Sequence, residues 1–350
     1  MTVTWPLMLS GLLARRDLTS AESAWAMARI LSGEATPAQV AAFATALRAK
    51  GETPAEITGL VSALLAGAAA VSVPGTTVDI AGTGGDGTRA ANISTMAAVV
   101  AAATGLTVVK HGGRAASSST GGAADLVEHL GVALDLTPRQ AARVAVDAGI
   151  TFLYAPRFNP GLRHAAAVRR ELGVPTVFNI LGPLINPAAP RHQVIGVADA
   201  RLAPVVAEVL AAGGRQALVV RGDDGLDKLT TVTTSSVWTV RDGVVRASTL
   251  DPRTLGIPAA EPAQLRGGTA AANARITHAL LDGRRDAIRD VTLLNAAAVC
   301  VAASLSDAPV AEQLAAALPG CAAAVDTGAA RGVLSRWITA SATAGSAGSP

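Results

Sequence analysis

Aromatic side chains, cysteine and blocks of like charge are all scarce in this chain. Four Trp, four Phe and one Tyr are spread over 350 residues, too few to build the stacking platforms on which single-stranded nucleic acid lies. The 29 Lys and Arg residues exceed the 26 Asp and Glu residues by only three charges, and they are scattered rather than massed into a stripe. That pattern argues against a nucleic-acid binder and suits a cleft for a small phosphorylated substrate. Cys300 and Cys321 both sit in Ala-rich, helix-like stretches, so they read as buried thiols rather than a disulfide framework or a metal site, as expected in a reducing cytoplasm. No charged segment runs into an apolar core and cleavage site, and the Ala/Val runs carry polar breaks. Neither an export signal nor a membrane span is expected.

What is present is an apolar chain, half of it hydrophobic, long enough for one large α/β domain and a smaller partner. The first 70 residues repeat one local device. Thr19…Glu22, Thr36…Gln39 and Thr53…Glu56 each place a capping Thr three residues before an acid or amide, and Pro37 and Pro54 occupy the first helical position. These spacings predict three helices and an N-terminal helical bundle over 1–73. From residue 74 the pattern changes to short buried strands alternating with helices, which predicts an α/β domain over 74–340 with a central, mainly parallel sheet. Strands are expected at 77–80, 106–110, 150–154, 194–197, 217–220 and 237–240, with a hairpin turn at Arg241-Asp242-Gly243 and mostly helix after Gly268. The ending "SATAGSAGSP", 341–350, reads as a disordered tail.

Three stretches carry the chemistry. "GTGGDGTRAANIST", Gly82 to Thr95, follows a strand and precedes a helix. Its glycines permit positive φ and a nest of backbone N–H groups, and the helix start adds a second anion-favouring element. The loop suits phosphate, but its spacing is neither a dinucleotide fingerprint nor a Walker loop. Asp86 is unexpected in an anion nest unless it orients a hydroxyl or reaches a metal. "VVKHGGRAASSSTGG", Val108 to Gly122, runs from a strand end at Lys110 into donors and small residues. It supplies Lys110, Arg114, Ser117 and Ser118 for phosphate, with His111 either a general base or a structural hydrogen-bonder. In the third, Ala155 to Pro187, a helix from about Pro160 to Leu172 spreads Arg163, His164, Arg169 and Arg170 over more than one face. One of these could meet an anion, and the spacing does not choose which. A fourth stretch, "RGDDGLDKL", 221–229, is either a metal clamp or a solvated turn.

Together, "GTGGDG…NIST", "KHG.RA.SS", "R.ELG..T.FN.LGPL.NP" and "GDDGLDKL" resemble the anthranilate phosphoribosyltransferase family, over about Leu9 to Trp337. The resemblance implies the nucleoside phosphorylase/phosphoribosyltransferase type of fold, a homodimer joined through helical domains, and a return of part of 160–185 to the helical domain. It implies transfer of 5-phosphoribose from phosphoribosyl pyrophosphate to the amine of anthranilate, with one or two Mg²⁺. By matched position, Gly82, Gly85, Asp86, Asn92, Ser94, Thr95, Lys110, Gly112, Arg114, Ser117 and Ser118 would hold the phosphoribosyl pyrophosphate. Gly82, His111, Gly113, Asn159 and Arg169 would meet the acceptor, with Arg169 on its carboxylate. Ser94 and Asp227 would be metal ligands, and catalysis would be electrostatic, through Lys110 and Arg169.

Three positions depart from the family pattern. Gly113 stands where the family has Asn, Asn159 where it has His, and Lys228 where it has Glu. The last exchanges a carboxylate for an ammonium beside Asp227, which leaves three outcomes: Lys228 contacts the pyrophosphate itself, Asp223 and Asp224 move in as ligands, or activity is impaired. The first two departures leave open a different aromatic carboxylate as acceptor. A nucleoside phosphorylase is disfavoured by Arg169 and "NILGPL.NP", and a non-catalytic nucleic-acid-binding homologue by the lack of a basic stripe.

Overall fold

The computed structural model describes residues 3–114 and 121–346. Four helices open the chain: α1 Trp5–Leu13, α2 Ser20–Ser32, α3 Pro37–Lys50 and α4 Pro54–Ala66. The last three begin at the expected capping boxes, in which Thr19, Thr36 and Thr53 each accept from the backbone N–H three residues on and the acid or amide there reaches back. Because each box satisfies two otherwise orphaned donors, the local sequence alone sets these starts.

The remainder alternates: β1 Thr77–Gly82, α5 Ile93–Ala103, β2 Thr107–Gly112, α6 Ala123–His129, α7 Pro138–Ala148, β3 Ile150–Tyr154, α8 Ala155–Phe158, α9 Arg163–Leu172, α10 Phe178–Leu181, β4 His192–Gly196, α11 Leu202–Ala212, β5 Gln216–Gly222, β6 Ser235–Arg241, β7 Val244–Leu250, α12 Ala270–Leu281, α13 Ala287–Ala303, α14 Val310–Asp326 and α15 Ala329–Ser346. The seven strands form one sheet in the order β3-β2-β1-β4-β5-β6-β7. Pairing is parallel from β3 through β5 and antiparallel in the final two ladders. The β6–β7 turn takes positive φ at Asp242 and Gly243, as the twist of a two-residue hairpin demands.

Strand alternation divides the core in two. Val194, Leu218 and Val220 face one layer, with α5, α7, α13 and α15. Ile195, Ala217 and Val219 face the other, where α11 meets α2, α3, α4, α9 and α10. Helices α5 and α13 are apolar almost all round because sheet and helices enclose them. Helices α9 and α10 thus pack on the N-terminal helices α2, α3 and α4.

One expectation is corrected. Helix α15 continues to Ser346 and packs on α7, with Ser341 fully buried and its hydroxyl accepting from Ala133 N; residues 341–346 are therefore ordered helix, and only 347–350 of the tail fall outside the described residues. Helix α5 starts at Ile93, one residue before Ser94. Both thiols are free; Cys321 is buried, as expected, whereas Cys300 is only half-buried, and their Sγ atoms lie 3.8 Å apart between α13 and α14. No helix among the described residues is long and apolar enough to cross a membrane.

Candidate active site

The chain leaves β1 for β2 on one side while β4 pairs on the other, so a crevice opens outside the carboxyl ends of β1 and β4. Gly82 and Gly196 end these strands in register. A Cβ on Gly82 would run into the Asp227 carboxylate, and one on Gly196 into the Asp227 backbone carbonyl. Asp227, from the loop after β5, is thereby buried across both strand ends. Its Oδ2 accepts from Gly84 N at 2.7 Å and its Oδ1 from Lys228 Nζ.

Lys228 also lies 3.5 Å from Asp86 Oδ2, joining the loop after β5 to the glycine-rich loop. Burial pushes the Asp227 carboxyl above its usual range against the pull of Lys228, whereas Asp86, also desolvated, is drawn below its range by that ammonium. For Lys228 burial acts downward, and the two carboxylates overcome it. Asp86 further accepts from Thr88 N at 3.0 Å and Thr88 Oγ1 at 2.9 Å, which accounts for an acid inside a nest of donors. Gly84, Gly85 and Gly87 take φ of 68°, 75° and 68°, and a Cβ on any of them would meet open space. Their backbone is bare toward a ligand.

Asp223 and Asp224 are not in this group. Asp223 accepts from Thr234 and Ser236 hydroxyls, and Asp224 from the Thr230 hydroxyl at 2.8 Å and Leu226 N at 3.2 Å. They fix the turn that presents Asp227.

Lys110 is fully buried between β1 and α5, donating to Ile80 O at 2.6 Å and toward Ser94 Oγ at 3.4 Å. Desolvation brings its pKa down to about 8, opposed by Asp79, whose own carboxyl burial raises to about 6. Asn186 Nδ2 ties Asp79 Oδ2 at 2.8 Å to Val109 O at 2.7 Å. Lys110 thus acts from behind the helix start through Ser94, rather than as an exposed clamp. Thr95 is fully buried, while Asn92 faces a different network: Nδ2 donates to Gly121 O and Oδ1 accepts from Asn273 Nδ2 at 2.6 Å. Asn273 Oδ1 in turn accepts from Gly268 N at 2.8 Å, and Gly267 leaves no room for a Cβ against Ala91. Asn273, Gly267, Gly196 and Asp79 escape a reading of the sequence, and Asn186 enters it only as a fixed residue of the motif "LGPL.NP". Gly267-Gly268 before a capping Thr is the one local signal among them.

On the acceptor side, His111 is buried with both ring nitrogens engaged, Nδ1 at 3.1 Å from Gly182 O and Nε2 accepting from Asn159 Nδ2 at 3.4 Å. Burial lowers its pKa to about 4, so it is a neutral structural link and not a base near neutral pH. That link holds the 155–187 segment against the end of β2. The Asn159 carboxamide oxygen is buried with no hydrogen-bond partner among the described residues. Gly113 is roomy: a Cβ there would meet only Ala155 at 3.9 Å, whereas Gly112 is pressed on the Phe152 ring. Of the four basic residues on the α9 segment, Arg163, His164 and Arg170 are exposed. Arg169 is half-buried, with its guanidinium 5.7 Å from the Phe178 ring centroid. It has no acidic partner among the described residues, and burial alone lowers its pKa. Arg114 differs. It forms 2.8 Å ion pairs with both Asp125 and Glu128 and lies over Tyr154, so its charge is already spent on α6. Ser117 and Ser118 lie outside the described residues.

Known proteins are similar to this chain in sequence and in fold. A model described as the glycosyl transferase family, a/b domain, matches residues 74–331, and one described as the glycosyl transferase family, helical bundle domain, matches residues 8–68. The chain is 57% identical over 338 residues to the anthranilate phosphoribosyltransferase of Streptomyces griseus subsp. griseus, covering 97% of this chain and 95% of that one. It is 57% identical over 344 residues to that of Acidothermus cellulolyticus, covering 97% and 96%. Among solved structures, the anthranilate phosphoribosyltransferase of Thermus thermophilus superposes with a TM-score of 0.89 at 36% identity, covering 96% of this chain and 99% of that one. That of Saccharomyces cerevisiae, solved in complex with PRPP and Mg, superposes with a TM-score of 0.88 at 28% identity, covering 97% and 98%.

Proposed function

The chain belongs to the anthranilate phosphoribosyltransferase family, and we propose that it moves 5-phosphoribose from phosphoribosyl pyrophosphate to the amine of anthranilate. The observation that carries this reading is the hydrogen-bonded seat of His111. Through it the segment bearing half-buried Arg169 is held beside the strand ends that carry the phosphate loops. Anion-binding backbone on one side and, on the other, a guanidinium with no acidic partner among the described residues suit two anionic substrates whose reacting atoms meet between them.

The C1–O bond to pyrophosphate breaks as the C1–N bond forms, through a transition state with oxocarbenium character. The bare backbone of Gly84, Gly85 and Gly87 and the start of α5 offer N–H groups to the leaving pyrophosphate. Lys110 supports that end of the cleft from behind, by way of Ser94. Arg169 holds the acceptor's carboxylate, and the amine, neutral before attack, needs no side-chain base; the proton it sheds once the C1–N bond has formed passes to the departing pyrophosphate or to water. Neutral His111 positions and does not take a proton.

The donors present are oxygens, Asp227, Asp86 and the Ser94 hydroxyl, which fit a hard cation such as Mg²⁺ held largely by substrate phosphates. Ser94 and Asp227 would hold it, and when bound it neutralises charge developing on the departing oxygens. We extend the reading to a homodimer through the helical domain, which exposed Leu7 and Leu13 on α1 support, and to the cytoplasm, which suits two free thiols. The helical unit comprises 1–73 with part of 160–185. Nothing in the comparisons favours a changed acceptor or a nucleic-acid-binding homologue. The test is loss of anthranilate fluorescence that depends on both phosphoribosyl pyrophosphate and Mg²⁺.

A further inference from the structure

We propose that Lys228 is a built-in cation of the pyrophosphate site, occupying with its ammonium the place a second divalent ion would take between Asp86 and Asp227, so that each protomer works with one Mg²⁺. The inference rests on the phosphoribosyl transfer proposed above.

Three observations carry it. Nζ of Lys228 is bonded to Asp227 Oδ1 and lies 3.5 Å from Asp86 Oδ2, so it sits between carboxylates from two different loops. Its side chain is only 14% exposed, which places the charge in the crevice wall rather than in solvent. The group beside it is the glycine-rich loop, whose residue Gly84 shares Asp227 with Lys228. An ammonium has three N–H donors. Two are directed at Asp227 and Asp86, and the third is left for a phosphate oxygen entering from the loop. The charge arithmetic agrees: Asp86 and Asp227 alone would repel a pyrophosphate, and one internal positive charge halves that opposition without any metal. The same ammonium excludes a further dication from the space it fills. Asp227 keeps a role toward one Mg²⁺ through a carboxylate that can accept more than one partner.

The experiment counts metal. Mn²⁺ replaces Mg²⁺, and its binding to the full-length protein saturated with phosphoribosyl pyrophosphate is measured by electron paramagnetic resonance and calorimetry. The wild type should take up one Mn²⁺ per protomer, Lys228→Glu two, and Lys228→Arg one. Lys228→Met should raise the Kd for phosphoribosyl pyrophosphate at least tenfold with a circular dichroism spectrum like that of the wild type. A count of two in the wild type, or of one in a folded Lys228→Glu protein, overturns the proposal. Should Lys228→Glu fail to fold, the wild-type count and the Lys228→Met affinity decide. Anthranilate turnover with a wild-type count of two sinks this inference alone. A count of one without turnover upholds it and sinks the acceptor reading instead.

Discussion

Gly196 carries the backbone carbonyl of Asp227 so closely that no side chain fits between them. The contact closes the end of β4 and, with Gly82 beside it in register, seats the acidic loop at the switch point of the sheet.

Adding a methyl group should therefore separate two kinds of damage. Gly196→Ala meets backbone, which cannot swing aside, and should lose about 1–3 kcal/mol of stability together with most activity. Gly82→Ala meets the Asp227 carboxylate, which can rotate, and should lose activity with a smaller loss of stability. Gly113→Ala, with ordinary contact at 3.9 Å, is the control and should leave stability near that of the wild type. Urea midpoints and kcat/KM for the three variants check the order. Equal stability of Gly196→Ala and Gly113→Ala would contradict the seating of Asp227.

Arg169 has no acidic partner to lose among the described residues. Arg169→Ala should raise the KM for anthranilate roughly 10- to 100-fold, the equivalent of about 1.5–3 kcal/mol for a charged hydrogen bond, while the Tm and the KM for phosphoribosyl pyrophosphate stay close to wild type. Arg169→Lys should fall between, since an ammonium keeps the charge and loses the planar fork. Steady-state kinetics with each substrate varied in turn gives the answer, and an unchanged anthranilate KM in Arg169→Ala would remove Arg169 from the acceptor site.

The buried imidazole makes a prediction about pH. His111 has its pKa depressed to about 4 in the folded protein against an ordinary value of 6.5. As pH falls through that window the unfolded chain takes up the proton first, so the stability His111 contributes is complete above 6.5 and is lost toward 4. Asp79 works in the opposite sense, because its carboxyl, raised to about 6, is protonated first in the folded state. The wild-type curve alone mixes the two. The difference in unfolding free energy between wild type and His111→Gln isolates His111. It should shrink as pH falls from 6.5 to 4, by at most about 1.4 kcal/mol per pH unit. A difference that does not change with pH would mean that His111 is not buried neutral.

How far the sequence can be read follows from the range of each interaction. The capping boxes at Thr19, Thr36 and Thr53 are closed within four residues, and all three appear in the structure. The parallel strands, buried on both faces, announce themselves as short apolar runs. Two charges have partners that only folding fixes. The sequence points Lys110 directly at phosphate, but β2 lies inside the sheet and both its faces are covered. It points Arg114 there too, yet α6 brings Asp125 and Glu128 against that guanidinium. The small residues of the tail suggest disorder, but Ala and Ser can equally continue a helix when one face packs, as α15 does on α7. Nothing local to Gly196 marks it as the seat of Asp227. Only the sheet order brings β4 to β1.

The central claim is a transfer that couples two bonds, so its most direct test is the stoichiometry of the reaction. Anthranilate loss by fluorescence and pyrophosphate release should be measured in one reaction mixture containing phosphoribosyl pyrophosphate and Mg²⁺. The account predicts one pyrophosphate released for each anthranilate consumed, with neither change when Mg²⁺ or phosphoribosyl pyrophosphate is omitted. Pyrophosphate release without anthranilate loss, or no loss of anthranilate at all, would contradict it.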